Sequence, residues 1–154
     1  MEKNIDKLDL QVLSFLLKDA KTPYTEIAKQ LNVSGGTIHV RIKKLEALNV
    51  ITGTTLCVDY GKLGFSLTAF LGIHLVDGKN HDEILKKLKD IPEVIEIHYT
   101  TGKFYLFAKI ICKDSYHLKK VLINGINRIN GIEKTETMIS LGETKIPPVE
   151  LLKN

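Results

Sequence analysis

The segment from Ser34 to Leu48, SGGTIHVRIKKLEAL, combines an apolar stripe with a small and basic outer face. Its first residue is a favourable helix N-cap, and Glu46, near the far end, is its only acidic residue. Four apolar residues repeat at the spacing of an amphipathic helix: Ile38, Ile42, Leu45 and Leu48. The pattern predicts either an ordinary solvated surface helix or a helix that lies in a groove of DNA.

Two helical segments precede this one and favour the second interpretation. Residues 6–18 have an apolar face, and Asp6 and Asp9 lie at the start, where the helix dipole favours acidic side chains. Pro23 interrupts the pattern, residues 26–31 form a short second helix, and Asn32 lies in a tight turn. Three short helices, the last two joined by about three residues, are typical of a helix-turn-helix domain.

In a recognition helix the first residues contact DNA bases and the flanking residues contact phosphates. The residues of the third helix fit this pattern. Two glycines would let the helix start approach the DNA backbone closely, and the N–H groups there suit a phosphate. Arg41 could instead brace the domain through an acidic neighbour. The predicted DNA-binding residues are Ser34, Gly35, Gly36, Thr37, His39, Val40, Arg41, Lys43 and Lys44.

After residue 50 the spacing of apolar residues along the sequence changes. Residues 51–64 are rich in β-branched side chains around a glycine, which predicts a wing strand and a linker. From Phe65 onward the pattern is β-α-β-β-α-β, the order of a ferredoxin-like sandwich. The predicted chain is therefore of the α+β class, with four parts: a helix-turn-helix domain at 1–50, a wing strand and linker at 51–64, a ferredoxin-like domain at 65–142 and a C-terminal tail at 143–154.

The predicted sheet is apolar on both faces, although two helices can cover only one. In the first strand Leu71 and Ile73 lie on one face and Phe70 and Val76 on the other. A bare apolar face favours aggregation, so we expect a partner to bury it. A second copy in a two-fold dimer is the simplest partner. The alternative is that the N-terminal domain or the tail packs there.

From about Ile5 to Leu141 the sequence resembles the leucine- and asparagine-responsive regulators, the Lrp/AsnC or feast/famine family, and within them the AsnC type. The resemblance is carried by TIHVRIKKLE followed by NVITG, by the TTG loop in EIHYTTGKFYLFAKIICKD, and by IEKTETMISL. It implies a winged helix-turn-helix domain, and a second domain that dimerises through its sheet, assembles further into octamers and senses an amino acid.

The same resemblance implies an effector site between dimers, at loops and strand ends of the second domain. Many family members have an acidic residue shortly after the loop glycine, where this chain has Phe104 and Tyr105. From the residues alone, the two threonines of the last strand are better explained as good β-formers than as residues that bind a small zwitterion. The residues so implied are Tyr99, Thr100, Thr101, Gly102, Lys103, Asn124, Asn127, Thr135 and Thr137.

Composition and motifs exclude several other classes. The chain has 154 residues, a formal charge of +4 and two cysteines without a CxxC motif, which indicates reduced thiols in a cytoplasmic protein. No apolar run reaches the roughly 18–20 residues that span a bilayer. The five histidines are scattered, so no metal site is predicted, and no nucleophile, catalytic triad or phosphate-binding motif is present. We therefore predict no catalytic residues and no cofactor.

These observations predict a sequence-specific regulator of transcription that binds double-stranded DNA as a homodimer or octamer. Its assembly or DNA affinity would respond to an amino acid, with asparagine the first candidate by resemblance. One alternative is an architectural DNA-binding regulator without an effector. The other is a small enzyme built on the ferredoxin-like domain.

Overall fold

The computed structural model describes residues 4–76 and 80–152. The first residues of the predicted helix-turn-helix domain and the last two of the predicted tail lie outside this range. The chain divides into two compact units. One contains the residues up to Cys57 together with those from Thr144 onward, and the other contains Val58–Glu143.

The first unit contains the three predicted helices, α1 (Lys7–Lys18), α2 (Tyr24–Leu31) and α3 (Gly35–Ala47). Asp6 caps α1 through a capping box with Asp9, in which each side chain accepts from the other residue's backbone N–H. The core between the helices is apolar and consists of Val12, Ile27, Ala28, Ile38 and Ile42. The periodicity of the sequence therefore identified the core-facing positions correctly.

The turn between α2 and α3 has the predicted chemistry. Asn32 adopts the left-handed conformation, with φ 54°, which asparagine tolerates better than most residues. Ser34 Oγ then accepts a hydrogen bond of 3.1 Å from the backbone N–H of Thr37, as an N-cap should. These two residues fix the sharp entry into α3.

The predicted wing strand is absent from the described structure of this chain. Residues 52–59 form no helix and no strand, and a single 3₁₀ turn follows at Tyr60–Leu63. Leu56 is 76% exposed and Val58 is also exposed. β-branched residues stabilise a strand mainly by packing on a neighbouring strand, and this segment has no such neighbour within the described residues. The prediction of a strand was wrong for this reason.

The predicted tail belongs to the first compact unit. Residues 148–152 form a 3₁₀ turn, Pro148–Leu152, that contacts α1. Val149 is only 8% exposed. Burial of this apolar side chain holds the end of the predicted tail, 143–154, on the first unit.

The second unit is built on one antiparallel sheet of four strands, β1 (Leu67–Leu75), β2 (Val94–Tyr99), β3 (Leu106–Cys112) and β4 (Ile132–Ile139). The strand order is β2-β3-β1-β4. Helix α4 (His81–Lys89) connects β1 to β2, and α5 (Ser115–Lys120) follows β3. This is the predicted ferredoxin-like order.

The second helical connection is less regular than the sequence predicted. A single helix was expected over residues 115–129, but α5 ends at Lys120 and continues as a π-helical turn, Val121–Gly125, and a 3₁₀ turn, Ile126–Arg128. The segment Asn124-Gly125-Ile126-Asn127 contains only residues of modest or poor helix propensity. Ile126 is nevertheless fully buried, so packing on the core holds the irregular turns in place.

The two faces of the sheet differ in how they are covered. On the helix face, Ala69, Leu71, Ile73, Leu106 and Ile110 are fully buried with residues of α4 and α5. The opposite face, called here the open face, contains the ring pair Phe70–Phe107, stacked with centroids 5.8 Å apart. Phe104, from the β2–β3 loop, lies beside Phe107 at 6.0 Å. The open face is therefore apolar at its centre, as predicted.

Candidate DNA-binding helix and effector-binding residues

The outer surface of α3 contains most of the predicted DNA-binding residues in an accessible arrangement. Val40 is 65% exposed, and His39 and Lys43 are exposed as well. Thr37 is half-buried, and its hydroxyl lies 2.9 Å from Ser34 Oγ. An exposed valine beside a histidine and a lysine contributes little to the stability of the helix itself. The same side chains suit contact with base edges and phosphates.

The two glycines at the start of α3 face open space. A Cβ atom at Gly35 would meet no atom within 4 Å, and one at Gly36 would lie 3.7 Å from Ser34 Oγ, an ordinary contact. Nothing within the described chain therefore requires glycine at either position. The space in front of both glycines is open, which is compatible with the predicted close approach of a DNA backbone.

The inner basic residues of α3 have partners in α1. Lys44 Nζ lies 2.5 Å from Asp9 Oδ2, and Arg41 contacts both Asp6 and Asp9, with Arg41 Nη1 3.2 Å from Asp9 Oδ1. Asp9 is fully buried, so its charge needs these cations. The suggestion that Arg41 braces the domain agrees with this geometry. The predicted phosphate contact of Lys44 competes with a partner that sequence reasoning did not find.

The same network shifts the pKa values of both carboxyls. Burial raises the pKa of Asp9, but hydrogen bonds from Lys44, the backbone N–H of Asp6 and Arg41 outweigh burial, and the net pKa is lowered. The backbone N–H of Asp9 and the Arg41 side chain hold the pKa of Asp6 below its ordinary value. Both carboxylates are therefore stabilised in their charged form.

Tyr24 is a candidate DNA-contacting residue that the sequence analysis did not include. It is the first residue of α2, is 40% exposed and lies beside His39, with ring centroids 6.4 Å apart. In helix-turn-helix domains the helix that precedes the recognition helix crosses the DNA backbone. An exposed aromatic residue at the start of α2 was the available signal.

The TTG loop joins β2 to β3 and is held by its own side chains. Tyr99 Oη lies 2.5 Å from His81 Nδ1, and Thr100 donates from its hydroxyl to the carbonyl oxygen of Phe104 at 2.7 Å. Gly102 has φ 103°, so a glycine is needed at this turn. Lys103 donates to Glu136 at 2.6 Å, and Thr101 is exposed. The loop is therefore a defined turn rather than a loose connection.

A groove of about 390 Å³ lies between α5 with its π-helical extension and strand β4. Two predicted effector residues, Asn127 and Thr137, line it. Thr135, on the same strand face, donates from its hydroxyl to Asn127 Oδ1 at 3.1 Å. The remaining lining residues are Ser115, Leu118, Lys119, Leu122, Ile123 and Ile139. A charged amine, hydroxyls and an amide above an apolar floor suit a small polar molecule.

The structure thus gathers only part of the predicted effector set into one place. Asn127, Thr135 and Thr137 lie together, whereas Asn124 accepts from Arg128 at 3.5 Å. No residue of the TTG loop lines the groove in the described part of the chain. Within one protomer the predicted effector residues form two separate groups.

Within residues 4–76 and 80–152, no helix is long and apolar enough to cross a membrane. The same residues contain no group of three or more histidine, cysteine, aspartate or glutamate side chains that could hold a metal ion.

A helix-turn-helix unit with an exposed basic third helix, joined to a ferredoxin-like domain with a polar groove, defines a class of DNA-binding regulators. Comparison with known proteins agrees. Residues 5–52 match the family described as winged helix-turn-helix DNA-binding, and residues 68–149 match the Lrp/AsnC ligand binding domain. The chain belongs to the Lrp/AsnC family. It is a DNA-binding transcriptional regulator with a ligand-binding domain, and not an enzyme.

Individual relatives support the same assignment. Regulatory protein AsnC of Haemophilus influenzae is 44% identical over 138 residues, which cover 90% of this chain and 92% of that protein. Regulatory protein AsnC of Escherichia coli is 43% identical over 137 residues, or 89% and 90% of the two chains. The solved structure of the E. coli protein superposes with a TM-score of 0.85, at 41% identity, and covers 94% of this chain and 99% of that one.

A more distant structure shows the fold alone. A transcriptional regulator of Neisseria meningitidis, solved as a complex with L-methionine, has a TM-score of 0.88 at 18% identity, over 94% of this chain and 95% of that chain. These relatives confirm the predicted family, fold class and function as a regulator.

Proposed function

We propose that this protein is a cytoplasmic homo-oligomeric regulator that reads operator DNA with α3 and responds to a small amino acid, with asparagine as the first candidate. The observation that carries the proposal is the outer surface of α3. It presents an exposed valine, histidine and lysine beside two glycines that no neighbour in the described chain requires.

The DNA contacts divide by position on the helix. Residues Thr37, His39 and Val40 would meet base edges, and the N–H groups at Ser34–Gly36 and the side chain of Lys43 would meet phosphates. Among the residues that the structure describes, Lys43 forms an ion pair with Glu46, at 2.8 Å on the exposed surface. Such an exposed pair exchanges readily for a phosphate. Arg41 and Lys44 support this surface from behind through Asp9.

A dimer through the open face would place two copies of α3 on one DNA duplex. The stacked Phe70–Phe107 pair and the adjoining Phe104 provide an apolar centre for such an interface. A two-fold dimer predicts a pseudo-palindromic operator with half-sites about one helical turn, ~34 Å, apart. Further assembly to an octamer is proposed from the family resemblance.

The effector-binding proposal follows from the two separate groups of predicted residues. If the effector lies between dimers, one protomer supplies its TTG loop, Tyr99–Lys103, and another supplies its α5–β4 groove. Asn127, Thr135 and Thr137 would bind the polar groups of the amino acid there. The L-methionine bound to the N. meningitidis regulator supports an amino acid as the class of effector.

The experiment has two arms. Selection of bound sites from a random double-stranded library should recover a pseudo-palindrome, and fluorescence anisotropy then gives the affinity. A thermal-shift screen of the twenty amino acids should identify one that stabilises the protein, by about 2.7 kcal/mol at 100 times its Kd. Asparagine is the expected hit. Sequence-specific binding with no hit would favour an architectural regulator, and no sequence preference would contradict the proposal.

A further inference from the structure

An ion pair connects the TTG loop to the strand that contains the two predicted effector threonines. Lys103 Nζ lies 2.6 Å from Glu136 Oε2. Lys103 belongs to the loop between β2 and β3, whereas Glu136 lies on β4, and β1 separates β3 from β4 in the sheet. The lysine side chain therefore spans β1 to reach its partner.

The pair lies on the opposite side of the sheet from the groove. Successive side chains of a strand point to opposite faces, so Glu136 faces away from its neighbours Thr135 and Thr137. Thr135 and Thr137 are opposite the buried Ile73 and Leu71 of β1, on the helix face. Glu136 is opposite Gly72 and points to the open face. Lys103 is thus directed away from the groove that the threonines line.

Gly72 leaves space for the β2–β3 loop to lie over β1. A Cβ atom at position 72 would come within 2.4 Å of Phe104 Cε1, so only glycine lets the Phe104 ring lie on β1 there. Lys103 Nζ is 5.3 Å from the centroid of the same ring. His74 Nε2 lies 3.2 Å from Glu136 Oε1, and its ring meets the edge of Phe104 at 5.3 Å. Aromatic packing and charge together fix the loop against β1 and β4.

The charge state of Glu136 agrees with this arrangement. The hydrogen bond from Lys103 is the largest cause that lowers the pKa of Glu136, and the hydrogen bond to His74 and the nearby Lys134 act in the same direction. The carboxylate therefore remains charged and available to Lys103 at neutral pH.

We propose that Lys103 is a positioning residue and does not contact the effector: its ion pair with Glu136 sets the TTG loop relative to Thr135 and Thr137 within each protomer. This inference rests on the proposed effector function. A site shared between dimers requires a fixed distance between the loop and the strand of each chain. Because the pair is partly exposed within the single protomer, its loss should change this distance more than it changes the stability of the protomer fold.

A double-mutant cycle tests the proposal on the full-length protein. The variants are Lys103→Met, Glu136→Gln and their combination, with Lys103→Arg as the conservative replacement. Lys134→Met is the matched control, since Lys134 Nζ lies 3.7 Å from the same carboxylate but is not part of the loop. Isothermal titration with the amino acid found in the screen gives each Kd, and DNA binding without effector checks that the variants are intact.

We expect each single variant to weaken effector binding roughly 2- to 30-fold, the range for coupling through a network of contacts. The double variant should bind no more weakly than the weaker single variant, and Lys103→Arg and Lys134→Met should bind as the wild type does. Two results would overturn the proposal: unchanged affinity in the single variants, or an equal loss from Lys103→Met with and without Glu136→Gln, as a direct ligand would give. A wild-type protein that binds no amino acid would instead refute the proposed function itself.

Discussion

Asp9 and Glu136 each receive two or more basic groups, and these two carboxylates differ mainly in burial. Asp9, on α1, is fully buried beneath Arg41 and Lys44 of α3. Glu136, on β4, is 36% exposed beside Lys103, His74 and Lys134. The first network joins two helices of the DNA-binding unit, and the second joins a loop to a strand in the ligand-binding domain.

Burial decides what each network does. A buried carboxylate without its cations would be strongly destabilising, so the Asp9 network holds the fold of the first unit. An exposed pair contributes little to stability, so the Glu136 network can set local geometry without affecting the fold. The comparison also separates the cations of α3. Arg41 and Lys44, on the inner side, pair with the buried Asp9, whereas Lys43, on the outer side, is exposed.

Replacement of Asp9 should have the largest effect on stability. Asp9→Ala removes half of the capping box and two charge-assisted hydrogen bonds, with an expected loss of about 3 kcal/mol in the free energy of unfolding. Asp82→Ala is the matched control, since Asp82 lies in the first turn of α4 but is fully exposed. Hydrogen exchange of the α1 and α3 amides reports this unit in the intact protein. Equal losses in the two variants would contradict the assignment.

Acid should remove the same stabilisation reversibly. The pKa values of Asp6 and Asp9 are lowered in the folded protein, so their contribution is complete above the ordinary aspartate pKa of about 3.9. It is lost as the pH falls through the lower, folded values. Chemical shifts of the two carboxyl carbons against pH should show midpoints below that of a model aspartate. Midpoints at or above the model value would contradict the network.

Substitutions of Lys44 and Lys43 should differ in their effect on the free energy of unfolding. Lys44→Ala leaves Asp9 with only the Arg41 side chain and the Asp6 backbone N–H, and should cost about 1–2 kcal/mol. Lys43→Ala removes only an exposed pair with Glu46, and should leave unfolding unchanged. Urea titrations followed by hydrogen exchange of α3 measure both. A destabilised Lys43→Ala protein would show that the outer side of α3 also holds the fold.

Gly35→Ala should have the smallest effect on the fold and still affect DNA binding. The added Cβ meets no atom of the described chain within 4 Å, and alanine at a compatible position is neutral or stabilises by up to about 1 kcal/mol. On DNA the same methyl group would lie against the backbone and weaken binding. Thermal denaturation and anisotropy measure the two properties. A variant that binds DNA as the wild type does would show that the glycine is not close to DNA.

Features that depend on neighbouring residues in sequence were predicted well. The three helices, the Ser34 cap and the turn at Asn32 follow from local chemistry, and the order of strands and helices along the chain follows from periodicity. The partners of Lys44 and Lys103 lie 35 and 33 residues away in sequence, so helix position alone could not reveal them. The strand predicted in the wing segment and the single helix predicted over residues 115–129 were wrong, because packing rather than propensity determines the structure of both segments.

The division of α3 into an inner, structural side and an outer, DNA-binding side is tested most directly by the salt dependence of operator binding. Anisotropy titrations of wild type, Lys43→Ala and Lys44→Ala over a range of salt concentrations give the slope of log affinity against log salt. Loss of one phosphate contact reduces this slope by about 1. We predict that reduction for Lys43→Ala and an unchanged slope for folded Lys44→Ala. The opposite result, with Lys44 changing the slope and Lys43 not, would contradict the account.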